Sequence, residues 1–245
     1  MAQTTRTSIV TGASRGIGAA IATRLAADGF AVIVNYAGRA EEADTQVKHI
    51  REAGGTATAI QADVSDPDAM RRLFDRAESE FGGVDVLVNN AGIMQLARIA
   101  DADDAFFDRH VAINLKGVFN GMREAAQRLR NGGRIISFSS SVVGLYQPTY
   151  GVYAATKGAV EAMTHVLANE MRGRNITVNA IAPGPTATAL FLDGKPADVI
   201  ERLSKLAPLE RLGQPEDIAA AVAFLAGPDG MWINGQVLRA NGGIV

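Results

Sequence analysis

Tyr153 and Lys157 stand four residues apart in the run Tyr153-Ala154-Ala155-Thr156-Lys157. On a helix that spacing puts both side chains on one face. A phenol has an ordinary pKa of about 10, so it works as an acid or base near neutrality only if its anion is stabilised. An adjacent lysine cation, together with a positively charged bound group, supplies that stabilisation. A phenol tuned in this way can exchange a proton with an alcohol or carbonyl oxygen. The pair alone is a weak motif. It gains weight from Ser139-Ser140-Ser141, from Asn89-Asn90-Ala91-Gly92 and from Asn114, which lies in the apolar helical stretch Val111-Ala112-Ile113-Asn114-Leu115.

A second constellation suits phosphate. Thr11-Gly12-Ala13-Ser14-Arg15-Gly16-Ile17-Gly18 follows a short apolar run and opens a helical stretch. Gly12 lets the chain turn out of a strand, Gly16 lets backbone approach a pyrophosphate, and Gly18 lets the helix pack closely on the sheet. The helix start then offers unpaired N–H groups and the positive end of its dipole. Past the second apolar run the sequence is Val34-Asn35-Tyr36-Ala37-Gly38-Arg39, with no carboxylate before Glu41. A carboxylate there would bind the free 2′-hydroxyl of NAD. Arg15 and Arg39 instead suit a 2′-phosphate, so the expected cofactor is NADP(H). The alternative, NAD, requires Asn35 and Tyr36 to accept an unphosphorylated ribose and Arg39 to point away.

The elements that position these groups are legible as alternation. Short β-branched runs occur at Ser8-Ile9-Val10, Ala31-Val32-Ile33-Val34, residues 57–61 and 84–88, Arg134-Ile135-Ile136-Ser137-Phe138, residues 176–181, and Gln236-Val237-Leu238-Arg239. Between them lie stretches of helical period, such as residues 17–28, 41–53 and 67–81. Continuous apolar strands separated by amphipathic helices predict parallel βαβ units covered on both faces. Seven runs predict one α/β doubly wound seven-stranded sheet, in a single domain spanning residues 1–245. Glycine pairs at 54–55, 82–83 and 132–133 mark helix ends, and Asp66-Pro67 marks a helix start. Both serine and asparagine clusters then fall at the carboxyl edge of the sheet, where such folds bind ligands. The one long irregular segment, residues 184–213, predicts a lid over about 185–212. It carries Leu190-Phe191-Leu192, a hinge-like Asp193-Gly194-Lys195-Pro196 and a helix-like stretch at 199–206.

Composition narrows the function classes. With 24 basic and 26 acidic residues the net charge of −2 favours neither nucleic acid nor an anionic membrane as partner. The absence of cysteine removes disulfides and thiolate chemistry. His49, His110 and His165 are scattered without ligand spacing, so no metal site is expected and all three read as surface or packing residues. The start, residues 1–7, is short and polar, unlike an export signal, and no run reaches spanning length. A cytoplasmic protein is the expectation. Tyr146 and Tyr150 read as pocket-lining residues, Trp232 as core or subunit contact, and Asp101-Ala102-Asp103-Asp104 as a helix N-terminal charge cluster.

Taken together, these motifs resemble the short-chain dehydrogenase/reductase family, over essentially the whole chain. The matching pieces, in family order, are the 11–18 glycine motif, Asp63-Val64, residues 89–92, Asn114, the serine cluster, Tyr153 with Lys157, Pro183-Gly184, and Gly235-Gln236-Val237 with Asn241-Gly242-Gly243. The flavour is that of 3-oxoacyl-[acyl-carrier-protein] reductases and NADPH carbonyl reductases. The resemblance implies a Rossmann-type fold and hydride transfer between NADP(H) and a ketone or secondary alcohol. It implies Tyr153 as the general acid or base, and Lys157 as a ribose ligand that lowers the Tyr153 pKa. It implies a serine that polarises the carbonyl, and Asn114 as holder of a relay water. Asp63 and Val64 would flank the adenine, and Asn90, Ala91 and Gly92 would follow the ribose. Pro183, Gly184, Thr186 and Thr188 would close over the nicotinamide and pyrophosphate.

Counting thirteen positions back from the tyrosine selects Ser140; the Val142-Val143-Gly144 segment favours Ser141, and an early strand end favours Ser139. Ser140 is the expectation. A homotetramer built on helices around 115–129 and 160–171 is also implied. The rival readings are an NAD-dependent alcohol, sugar or steroid dehydrogenase, and a cofactor-binding regulator without catalysis. The intact Tyr153, Lys157 and Asn114 argue against the regulator. A sugar-nucleotide epimerase is disfavoured, because no separate substrate domain is apparent.

Overall fold

The computed structural model describes residues 5–245; the polar start at residues 1–4 lies outside the described residues. Seven strands, β1 (Thr7–Val10), β2 (Ala31–Tyr36), β3 (Thr56–Gln61), β4 (Val86–Asn89), β5 (Arg134–Phe138), β6 (Thr177–Pro183) and β7 (Val237–Ala240), form one sheet. All are parallel, in the order β3-β2-β1-β4-β5-β6-β7. The order reverses between β1 and β4, and a crevice opens there at the carboxyl edge.

The helices are α1 (Gly16–Ala27), α2 (Ala40–Glu52), α3 (Pro67–Phe81), α4 (Asp104–His110), α5 (Gly117–Arg128), α6 (Val142–Leu145), α7 (Gly151–Glu170), α8 (Ala189–Leu192), α9 (Ala197–Ser204) and α10 (Pro215–Ala226). They cover both faces. Ile21 and Leu25 of α1, Ile50 of α2 and Val222 of α10 pack with Val10, Val32 and Ile136 on one side. Leu73 and Phe74 of α3, Met122 of α5 and Val160 of α7 pack with Ile9, Ile33 and Ile135 on the other. Consecutive residues of β1, β2 and β5 thus enter opposite cores, as the strand period requires. This is why these strands read as unbroken apolar runs.

Local chemistry sets several boundaries. The Asp66 side chain accepts from Asp68 N at 2.9 Å and Pro67 follows it, so α3 begins where the sequence indicated. Asp103 likewise accepts from Phe106 N at 2.7 Å and starts α4. β4 begins two residues later than the apolar run suggests. The Asp85 carboxylate accepts from Thr7 N at 2.7 Å and from Arg130 at 2.9 Å, joining the strand starts from outside the ladder.

Two expectations need correction. The segment read as irregular contains the short helices α8 and α9, the second starting at Ala197, directly after Pro196, rather than at 199. Proline at that point has its φ already helical and no N–H to lose. Trp232 is not core: the residue is 96% exposed, just after the 3-10 turn at Pro228–Gly230.

Candidate active site

The first βα turn is built around Thr11. Its hydroxyl accepts from Asn90 N and Ala91 N, both at 3.0 Å, and donates to Val88 O at 3.3 Å. The Asn90 carboxamide donates back to Thr11 O and Gly12 O at 2.8 and 3.1 Å. The ends of β1 and β4 are thereby locked together. A Cβ at Gly18 would stand 2.3 Å from Gly12 O and 2.5 Å from Asn90 Nδ2, so the first turn of α1 tolerates only glycine there. Gly16 has φ +56°, and the nearest obstacle to a Cβ is Thr188, 3.6 Å away across the groove.

The N-terminus of α1 has no side-chain cap and no acidic residue in its first turn, and Arg15 precedes it exposed. Its orphan N–H groups face the groove, the arrangement that binds a pyrophosphate. The groove runs from Gly12, Ser14, Arg15, Gly16, Ile17 and Gly18 past Asn35, Tyr36, Ala37 and Arg39 to Asp63 and Val64. On its other side it passes Asn90, Ala91 and Gly92 to Thr188.

Within it the side chains differ in availability. Asn35 is fully buried: its Oδ1 accepts from Gly12 N at 3.3 Å, and its Nδ2 donates to Ile60 O and Ala62 O at 3.2 and 3.0 Å. It ties β2 to β3 and supports the glycine turn, rather than offering its amide to a ligand. Asp63 accepts from Ser65 N and Oγ at 2.9 and 2.8 Å in a local turn. Val64 is packed, with its carbonyl taken by Asn120 at 2.9 Å. Arg39, exposed, precedes α2 and reaches the half-buried Glu42 at 2.8 Å. This pair is weak enough for an anion to compete with it.

The catalytic candidates meet in an adjoining pocket between the ends of β4, β5 and β6 and helices α7 to α9. β5 ends at Phe138, and the next three serines diverge. Ser139 is buried and donates to Glu161 Oε1 at 2.6 Å. Ser141 is buried, donates to Ala182 O at 3.1 Å and accepts from Asn241 Nδ2 at 2.9 Å. Ser140 lines the pocket beside Tyr153, with its Oγ accepting from Val142 N at 3.4 Å. Burial pushes the Tyr153 phenol up to about 12, against a smaller downward pull from Ser140. Lys157 is buried, donates to Phe138 O at 2.8 Å and is pushed down to about 8 by burial.

Asn114 sits in a π-helical turn at Val111–Lys116, fully buried. Its carboxamide accepts from Ile93 N at 2.8 Å and donates to Ile93 O at 2.9 Å. The side chain therefore holds the loop after β4. A Cβ at Gly92 would lie 3.1 Å from Asn114 Oδ1 and 3.7 Å from Lys157 Nζ, so both side chains approach Gly92 closely. His110 is buried; its Nε2 accepts from Gln95 N at 3.2 Å and its Nδ1 lies 2.8 Å from Phe106 O. It buttresses the same loop, while His49 and His165 are exposed. Pro183 and Gly184 line the pocket floor, Thr186 donates to Gly184 O at 2.9 Å, and Thr188 starts α8.

Fold and site together define a nucleotide-dependent oxidoreductase on a doubly wound sheet, with Ser140, Tyr153 and Lys157 lining the pocket beside the cofactor groove. The chain belongs to the short-chain dehydrogenase/reductase family. A family model described as Enoyl-(Acyl carrier protein) reductase matches residues 12–245. The chain is 42% identical to an NADPH-dependent aldehyde reductase-like protein, chloroplastic, of Arabidopsis thaliana, covering 98% of this chain and 94% of that one. It is 42% identical to a versicolorin reductase of Emericella nidulans, over 97% and 95% of the two chains. A crystal structure of a short chain dehydrogenase from Burkholderia cenocepacia in complex with NADP superposes with a TM-score of 0.92. That pair is 41% identical over 99% of this chain and 98% of the other.

Among the described residues no helix is long and apolar enough to cross a membrane, and no cluster of three metal-ligating side chains occurs.

Proposed function

We propose that the protein is an NADPH-dependent carbonyl reductase, acting reversibly on a ketone or aldehyde and the corresponding alcohol. The observation that carries this reading is the gathering of Ser140, Tyr153 and Lys157 in one pocket, with Lys157 Nζ 5.7 Å from the Tyr153 ring, beside the uncapped N-terminus of α1. Arg15 and Arg39, with no carboxylate between β2 and α2, support NADP(H) over NAD(H) as the cofactor. The NADP-bound neighbour and the NADPH-dependent relative support the same choice. When bound, the cofactor supplies the hydride.

The chain's own groups do the rest. Gly16 and the α1 N–H groups hold the pyrophosphate, and Arg15 and Arg39 hold the 2′-phosphate. Ser140 donates to the substrate oxygen and, with Tyr153, orients the carbonyl. Tyr153, protonated at neutral pH, delivers its phenolic proton to that oxygen. Lys157 places a positive charge below the phenol and steadies its anion after transfer. The Asn114–Ile93 bonds keep the loop at 90–93 in place along the groove.

Phe119 and Val166 are exposed on α5 and α7 and flank an apolar groove with Met122 and Met163. This face supports association into a homotetramer, which sedimentation of the purified protein tests.

The functional test is a fluorescence titration with NADPH and NADH, followed by turnover of a ketone and aldehyde panel by the wild type and Tyr153→Phe. Tighter NADPH binding, with turnover lost in Tyr153→Phe but binding kept, is the expected result. Tighter NADH binding moves the reading to an NAD-dependent dehydrogenase. Binding with no turnover of any carbonyl compound overturns it.

A further inference from the structure

The polar side chains of the substrate pocket can be accounted for one by one. Asn90 is spent on Thr11 and Gly12, Ser139 on Glu161, Ser141 on Ala182, and Thr186 on Gly184. Thr188 caps α8, Ser140 accepts from Val142 N, and Tyr153 is the reacting phenol beside Lys157. Two remain. Among the described residues, neither the Gln147 carboxamide nor the Tyr150 hydroxyl makes a hydrogen bond, and both side chains line the pocket half-buried. Apart from Lys157, no charged side chain lines it. The rest of the wall is apolar, including Met94, Leu145, Leu190 and Phe191.

The loop carrying the two groups is held in a costly shape. Tyr146 and Thr149, flanking Gln147 and preceding Tyr150, have φ of +50° and +72°. Left-handed backbone at non-glycine residues survives where the surroundings impose it, and it concentrates at ligand sites. The Thr149 carbonyl accepts from Ala97 N at 3.1 Å, fixing the loop to the segment that follows β4. The Tyr150 ring stands edge-on to the Tyr153 ring, with centroids 6.5 Å apart. A second hydroxyl and an amide are thereby presented beside the reaction centre, in a wall otherwise built to exclude water.

We propose that Gln147 and Tyr150 form a subsite for a second oxygen of the substrate. The preferred substrates are then uncharged compounds whose reducible carbonyl has a carbonyl or hydroxyl neighbour on an apolar frame. This rests on the carbonyl reductase reading. Ordinary bond lengths separate the two oxygens of a 1,2- or 1,3-dioxygenated molecule by about 3–5 Å, and the Tyr150 and Tyr153 rings that would serve them have centroids 6.5 Å apart. The reaction is unchanged: the carbonyl carbon gains the hydride supplied by NADPH, its oxygen gains the Tyr153 proton, and the second oxygen is neither oxidised nor reduced. A pocket group left unpaired by a substrate lacking that oxygen penalises the analogue.

The test compares three matched substrates with NADPH: 1-phenyl-1,2-propanedione, its 2-hydroxy ketone and propiophenone. The quantity read is the ratio of kcat/KM for each dioxygenated compound to that for propiophenone, in the wild type, Gln147→Leu and Tyr150→Phe. Using ratios removes any general loss of folding or cofactor affinity, and comparing them across variants removes the intrinsic reactivity of the diketone. Each variant is expected to lower both ratios about tenfold, the worth of one hydrogen bond. Ratios that stay at the wild-type value in both variants overturn the subsite and leave the reductase reading intact. A wild-type enzyme that turns over none of the three, nor any carbonyl in the wider panel, overturns that reading and the subsite with it.

Discussion

The Nζ of Lys157 stands 5.7 Å from the centre of the Tyr153 ring, one helical turn along the same face of α7. The ammonium is buried with one carbonyl as its protein partner, Phe138 O at 2.8 Å. Burial lowers its pKa from 10.5 to about 8. Between pH 8 and 10.5 the unfolded chain therefore holds a proton that the folded chain has released, and stability rises with pH across that window. Below pH 8 the cost is present in full, about 3 kcal/mol. Lys157→Met is expected to remove this rise and to stabilise the cofactor-free protein at pH 7. Urea unfolding at pH 7, 8, 9 and 10 measures it; an equal slope in both proteins contradicts the assignment.

The Ser139–Glu161 bond ties the residue before Ser140 to the helix carrying Tyr153 and Lys157. Hydrogen bonds to a charged acceptor contribute about 1.5–3 kcal/mol. Ser139→Ala is expected to lower the melting temperature and reduce kcat more than it raises KM, because it loosens the spacing of the two hydroxyls. Glu161→Gln keeps an acceptor oxygen and should retain most of both. A kcat unchanged in Ser139→Ala would show that the bond serves stability alone.

At the cofactor end, Arg39 is shared with Glu42. Removing the Arg39 guanidinium should weaken NADPH about tenfold or more, while NADH binding shifts little. Glu42→Gln frees the same guanidinium and should tighten NADPH modestly. Both effects should shrink as salt is raised. Titration of the two cofactors at low and high ionic strength reads each effect directly.

Gly18 makes a prediction about the turn itself. A methyl group there collides with Gly12 O and Asn90 Nδ2, both held by other bonds. Gly18→Ala is expected to cost at least about 1–3 kcal/mol, the usual penalty of overpacking, and to weaken both cofactors alike. A variant as stable as the wild type, with unchanged NADPH affinity, would contradict the packing role of this glycine.

Much of this protein was legible from local spacing. Helix and strand periods are short-range properties, so the seven apolar runs announced parallel strands, and four-residue spacing put Tyr153 and Lys157 on one face. The Asp66-Pro67 start of α3 was equally readable, because a cap and its N–H lie two residues apart. What tertiary structure decided is the direction of groups whose partners are remote in sequence. Past Phe138 no period governs the three serines. Ser139 is turned away by Glu161, 22 residues on, and Ser141 by Asn241, 100 residues on, which leaves Ser140 to the pocket. Asn35 looked like a ribose ligand from its place at the end of β2. In the structure it is a brace, because Ile60 on the neighbouring strand and Ala62 just past its end take its amide at close range. The loop that carries Gln147 and Tyr150 is pinned by the Thr149 carbonyl to Ala97 N, a contact no local pattern encodes.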